Sequence, residues 1–287
     1  MADYIETPTM GEILNEKFLI TPPLGHFWRI LKMKKSIIIF LLVLISLNLY
    51  SQDITKINLE EYKLDSRITS TLVEETKNSK SFNIYQENNH IYVLGWSKDG
   101  KLAFIENRGI DGRGGHDLHF TIQDMVEDVN VFYKRINWYD DDNYGENPEL
   151  AQTFEECIKS NSKEFNSELK KYKIILNPVK IESLPAVDKK GNRISFKIDN
   201  SKEYIGQYSL PHMDYEIIAI KNNKYKLLSK IENKMCDYVM PTAFIKSPYE
   251  DRIALIVANA EYVFEGREVF INFYGCNLES GFTNQIK

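Results

Sequence analysis

His116 and His119 stand three apart in "GIDGRGGHDLHF", with Asp111 near the head of the same stretch. Imidazole and carboxylate groups are ligands for a transition metal, and on a helix this spacing would set both rings on one face. The second histidine, however, runs straight into the alternation "LHFTIQ". There Leu118, Phe120 and Ile122 share one face and His119, Thr121 and Gln123 the other. In a strand, positions three apart point to opposite faces, so the two rings diverge. A metal site would then draw on Asp117 and His119, with Asp111 coming round from the loop. Asp111, His116 and His119 are the candidate metal set; a glycine-rich turn between two strands is the competing reading, and the preferred one. Gly109, Gly112, Gly114 and Gly115 do not read as a phosphate cradle. No helix start is predicted behind them, and neither G-x-G-x-x-G nor a Lys-Ser/Thr ending is present.

A second acidic stretch, "DDDNYGEN" from Asp140 to Asn147, has the look of a calcium loop. Counted from Asp140, Asp142 suits the third position and Gly145 the sixth. Tyr144 takes the fifth, where an oxygen ligand belongs, and Ala151 the twelfth, where a bidentate glutamate belongs. It fails as an EF-hand, which leaves loose calcium binding against a solvated linker. No resident cofactor is expected, and calcium or a transition metal are the candidates if one is held. The chain has three cysteines, which permit at most one internal bridge. Cys157 falls on an apolar helical stripe and reads as a core residue, so Cys236 and Cys276 are the preferred disulfide pair. Neither G-x-S-x-G nor H-E-x-x-H occurs, and no catalytic constellation is identified.

These residues must be carried by some framework, and the composition bounds it. The 287 residues are 43% hydrophobic and 27% charged, which suits a globular core and argues against disorder. The formal charge is −5 with both signs interspersed, which excludes a basic module of the nucleic-acid-binding kind. The 17 tyrosines and 15 phenylalanines favour half-buried strands. From Phe82 to Val131 the pattern is strand, turn, strand, with Asp99-Gly100 as a hairpin signal. Asn147-Pro148 predicts a helix start, and Phe154, Cys157, Ile158, Phe165, Leu169 and Tyr172 form one apolar stripe. Strand patterns then resume to the C-terminus, with one hairpin turning at Asn222-Asn223 and another at Glu265-Gly266. The fold expected is mainly β, an antiparallel meander, with one amphipathic helix inserted at about 148–172. An α+β arrangement is the alternative.

The N-terminal fifty residues hold two unrelated signals. In "KMKKSIIIFLLVLISLNLYSQD", Lys32, Lys34 and Lys35 precede the apolar run Ile37 to Leu49, and Ser51 offers a small residue for cleavage. This is the layout of an export signal, and the run is short for a bilayer span. Residues 33–51 are therefore expected to be a signal peptide and 52–287 a single exported β-rich domain. That domain would be periplasmic or extracellular, touching a membrane only through the signal before cleavage. Upstream, "TPTMGEILNEKFL", Thr7 to Leu19, resembles the opening of the addiction-module antidote family, whose members carry a helix-turn-helix. The two DNA-binding helices of that family are replaced here by the signal, so no DNA contacts carry over. Residues 1–32 read as an extraneous leader from a mis-assigned start or a fusion.

Two further resemblances concern the body of the chain. "WSKDGKLAFI" from Trp96 and "KSPYEDRIALI" from Lys246 share a serine, an acidic turn, a basic residue and an apolar strand. The element resembles the strand-turn-strand of β-propeller blades, although two copies do not establish a propeller's period. "GWSKDGKLAFIENRGIDGRGG", the helix ending "LKKYKI" before "ESLP", and "SPYEDRIALIVANAEYVFEG" together resemble a family of predicted secreted bacterial proteins of unknown function, over about residues 90–275. The resemblance implies export and a β-rich domain, and supplies no catalytic residues. The function expected is that of a non-catalytic binding or envelope-associated protein, its partner an unknown protein or small ligand. The alternatives are a secreted hydrolase or metal-dependent enzyme using the 111–119 loop, and an antidote-like DNA-binding regulator.

Overall fold

The computed structural model describes residues 53–59, 61–62, 84–85, 89–110, 115–139, 152–177, 180–206, 210–263 and 266–284. All of them fall in one unit, Gln52–Lys287. Everything before Asp53, including the expected signal, lies outside the described residues, as do Asp111 and the acidic loop 140–147.

A single 3-10 turn, Ile54–Lys56, opens the described chain. Strands β1 (Glu61–Tyr62), β2 (Ile84–Tyr85), β3 (Asn89–Trp96), β4 (Lys101–Ile110), β5 (Gly115–Asp124) and β6 (Val129–Tyr139) follow. Helix α1 (Phe154–Lys171) comes next, then the short β7 (Ile175–Leu176), β8 (Ile181–Ser183) and β9 (Ala186–Val187). Long strands complete the chain: β10 (Arg193–Ile205), β11 (Pro211–Lys221), β12 (Lys224–Lys234), β13 (Cys236–Lys246), β14 (Arg252–Val263) and β15 (Gly266–Asn277). The protein is mainly β with one α-helix among the described residues.

The strands form three sheets. The first has the order β1-β3-β4-β5-β6, with β7 also on β3; the second is β2-β15-β14-β13-β8; the third is β12-β11-β10-β9. All pairings are antiparallel except β2 with β15. The alternation in β4 and β5 explains how they stack. Ala103, Ile105, Leu118, Phe120 and Ile122 face α1, where they meet Cys157, Phe165 and Leu169. Leu102 and Phe104, with Ile91 and Val93 of β3, face the second sheet and meet Ile245, Ala254, Ile256 and Phe273. The other face of the second sheet carries Phe244, Ile253, Leu255 and Val257 against Ile194, Tyr215, Ile217 and Ala219 of the third. The order is thus helix, sheet, sheet, sheet, a row rather than the closed ring of a propeller. Strand β14 is the middle strand of the middle layer. Ile253 through Ala258 are all fully buried, which is why this stretch reads as unbroken apolar residues without alternation.

Three hairpin turns line up at one end of the row. Ser97 N–H donates to Lys101 O (2.8 Å), Asp188 N–H to Asn192 O (3.1 Å) and Ser247 N–H to Arg252 O (2.9 Å). The first and third are the two similar segments read in the sequence; the second, in "VDKKGNRI", escaped notice. The turns touch one another. Lys189 N–H donates to Asp251 Oδ2 at 2.9 Å. A Cβ on Gly100, which has φ +88°, would lie 2.9 Å from Glu250 Oε1. The β11–β12 turn is as expected: Asn222 and Asn223 both have positive φ (49° and 59°), as a type I′ hairpin requires.

Helix α1 starts later than the proline signal suggests. Thr153 Oγ1 accepts the Glu156 N–H, and the Glu156 carboxylate accepts the Thr153 N–H, a complete capping box that fixes the first turn at Phe154. Its buried stripe is Cys157, Ile158, Phe165 and Leu169, with Phe165 stacked on Phe120 at 4.2 Å.

Candidate functional site

The pleat of β5 separates the two histidines. His116 lies on the helix side, its ring stacked on Trp138 with centroids 4.1 Å apart, and the Trp138 Nε1–H donates to Asn107 Oδ1 at 3.0 Å. His119 lies on the opposite face, 4.0 Å from Glu106 Oε2 and edge-on to Tyr133. Among the described residues, no group of three or more His, Cys, Asp or Glu side chains could hold a metal. The strand reading of this stretch therefore accounts for His116 and His119, and Asp111 is outside the described residues.

His119 belongs instead to a row of charged residues running across β4, β5 and β6. Register places Glu106 beside His119 and His119 beside Arg135, with Arg108 beside Asp117. Arg108 donates to Glu106 at 2.8 Å and lies 4.9 Å over the Phe270 ring, while Arg135 is paired with Asp117. Burial first, and then the neighbouring Arg108, lower the His119 pKa to about 4, against the opposing pull of Asp117. His119 is accordingly neutral at pH 7. Glu106 Oε1, Arg108 Nε, Asp117 Oδ1 and His119 Nε2 are all buried. The row is a network of two guanidinium groups, two carboxylates and a neutral imidazole, with the Arg135 side chain exposed at its outer end.

The preferred cysteine pair does not form. Cys236 sits opposite Glu261 on β14 and Cys276 opposite Ile253, eight residues apart along the strand between them. At about 3.3 Å per residue that is roughly 25 Å, whereas bridged Cα atoms lie within about 7 Å. Cys157, Cys236 and Cys276 are all buried thiols, and burial raises Cys157 and Cys276 to about 11.

An open concavity lies on the helix side of the first sheet. The segment Ile54–Glu61 crosses the start of α1 and leaves a cleft of about 450 Å³ between them. Its floor is Ile54 and Ile158, both buried. One wall is aromatic: Tyr92 of β3 stacks on Phe154, the first residue of α1, with centroids 4.7 Å apart and planes 24° from parallel. Ile57 and Leu59 line the opposite side, and Glu61, Glu155 and Lys159 stand around them. Glu61 pairs with Tyr92 in the β1–β3 register and is held by His90 Nδ1 at 2.7 Å.

The cleft depends on how the leading segment is tied down. Asp53 Oδ1 accepts from Thr55 N–H (3.1 Å) and from Asn166 Nδ2 (2.9 Å), and Asn166 Oδ1 accepts the Ile54 N–H (2.9 Å). The sequence offered one clue, the apolar spacing Ile54, Ile57, Leu59 after a polar start, which resembles no motif. Phe154 and Ile158 were legible only as part of the helix stripe. The Tyr92–Glu61 neighbourhood depends on a β1–β3 pairing across 31 residues, which no local pattern reveals. Comparison of the chain with protein-family models, with curated proteins and with solved structures finds no match.

Proposed function

We propose that this protein is exported and binds a small ligand, without chemistry, in the cleft between Ile54–Glu61 and the first turn of α1. The cleft carries the reading: it is concave, with a buried apolar floor and an aromatic wall, and nearly half of its lining is polar or charged, from Thr55, Asn58, Glu61, Glu155 and Lys159. Export is supported by the lysine-flanked apolar run ending near Ser51 and by the resemblance to predicted secreted bacterial proteins. Cleavage before Gln52 leaves Asp53 and its anchors on Asn166 intact, so the mature chain keeps the cleft whole.

Two measurements test the two halves. Intact mass of the native protein from fractionated cells is expected to show a chain beginning near Gln52 in the exported fraction. A cytoplasmic chain retaining Met1 overturns export. A thermal-shift screen of small amphipathic compounds is then run on the wild type and on Thr55→Trp, which fills the cleft from its exposed rim. Compounds that stabilise the wild type alone support the site; compounds that stabilise both alike place binding elsewhere.

A further inference from the structure

We infer that the ligand of this cleft is an organic ammonium ion carried on an apolar body. The inference rests on the cleft being a binding site, and it follows from how charge and aromatic surface are arranged there. The stacked Tyr92–Phe154 pair offers an electron-rich wall, and quaternary or primary ammonium groups are drawn to such faces. Carboxylates approach the pair from two separate elements: Glu61 from β1, its register partner being Tyr92, and Glu155 from α1, adjacent in sequence to Phe154. The floor of Ile54 and Ile158 suits the apolar body.

Two carboxylates act on this wall. Burial, then Glu61 and then Glu155, push the Tyr92 phenol up to about 12. Lys159, one turn along from Glu155, is the one cation among the lining residues, and the Glu61 carboxylate also contacts His90 Nδ1 at 2.7 Å. The positive end of α1 would favour an anion, yet its first turn is already compensated. The Glu156 N–H is taken by Thr153 Oγ1, and Glu155 and Glu156 add two carboxylates there. An anionic ligand would therefore meet carboxylates on both sides, and a neutral one would leave their attraction unused.

The test uses the chain beginning at Gln52 and two matched probes, benzyltrimethylammonium and its uncharged carbon isostere neopentylbenzene, followed by NMR titration. The ammonium is expected to bind about tenfold more tightly than the isostere, and Glu155→Gln, at an exposed position, to remove most of that difference. Glu61→Gln is expected to act in the same direction. Equal binding of both probes, abolished by Thr55→Trp, overturns the cationic preference while leaving the cleft as the site. Ammonium binding that survives Thr55→Trp overturns the cleft itself, and with it this inference. Failure of the ammonium to bind at all overturns the inference. Phosphatidylcholine vesicles provide the last arm: sedimentation of the protein with vesicles identifies a lipid headgroup as the source of the ammonium, and binding of the free ion alone a soluble amine.

Discussion

The Asn166 carboxamide on α1 accepts the backbone N–H of Ile54 at 2.9 Å, across 112 positions of chain. Its amide nitrogen donates to Asp53 at the same distance, so one side chain fixes both the start of the leading segment and its cap. Asn166→Ala removes both bonds and leaves a partly buried N–H unpaired. The expected cost is about 1–2 kcal/mol in denaturant unfolding. Amide exchange at Ile54 is expected to accelerate with it, and an unchanged exchange rate would show that packing alone holds the segment.

Gly275 is required by its neighbour. A Cβ there would collide with the Met125 carbonyl oxygen, and the Gly275 N–H donates to Asp128 Oδ1 at 2.6 Å. Gly275→Ala is expected to destabilise by about 1–3 kcal/mol or more, since backbone must move. Gly191, with φ +82° and open space around it, supplies the contrast. Gly191→Ala is expected to cost only about 1 kcal/mol, for conformation alone.

Stability between pH 4 and 7 is governed by two opposed groups. His119 titrates at about 4 in the folded chain and near 6.5 when unfolded, so the unfolded state binds the extra proton between those values. Its contribution is complete above about pH 6.5 and is lost as pH falls toward 4. Asp128 runs the other way: burial pushes its carboxyl up to about 6, despite the Gly275 N–H it accepts. Its folded state binds the extra proton, so this contribution is present below the ordinary aspartate range near 4 and lost as pH rises through 6. His119→Gln is expected to reduce the acid-side loss of stability, and Asp128→Asn to steepen it while stabilising the protein at pH 8. Denaturation midpoints at pH 4.5, 6 and 8 check both signs.

The thiols are expected to be silent in the native state and to form no disulfide. Alkylation in denaturant without reductant should add three adducts to every chain, and alkylation of the native protein almost none. A chain taking only one adduct would mean that an intramolecular disulfide has formed, and so that the β13–β14–β15 register is not what separates Cys236 from Cys276.

Local pattern was a good guide wherever polar and apolar residues sort to opposite faces of an element. The alternation around Leu118–Gln123 is the β5 strand, and the exposed Lys159, Lys163, Glu164 and Lys170 are the outer face of α1. It was a poorer guide where order depends on distant partners. The H-x-x-H spacing says nothing about which sheet face is buried, and Glu106, Arg108 and Arg135 join His119 only through cross-strand register. The cysteine pair was chosen from element type alone, and strand offset decided against it. The third copy of the turn motif was hidden because Asp188 replaces the serine that marks the other two.

The position of β14 has a consequence for how the protein is made. The central layer, β13–β15, leaves the ribosome after both sheets that it separates. Until Cys236–Asn277 has emerged, the inner faces of the first and third sheets have no partner, and each carries fully buried residues such as Leu102 and Ile217. A chain interrupted before residue 236 is therefore left with two sticky surfaces and no means of joining them. Nonsense mutations just ahead of Cys236 should yield aggregates, not partly working fragments.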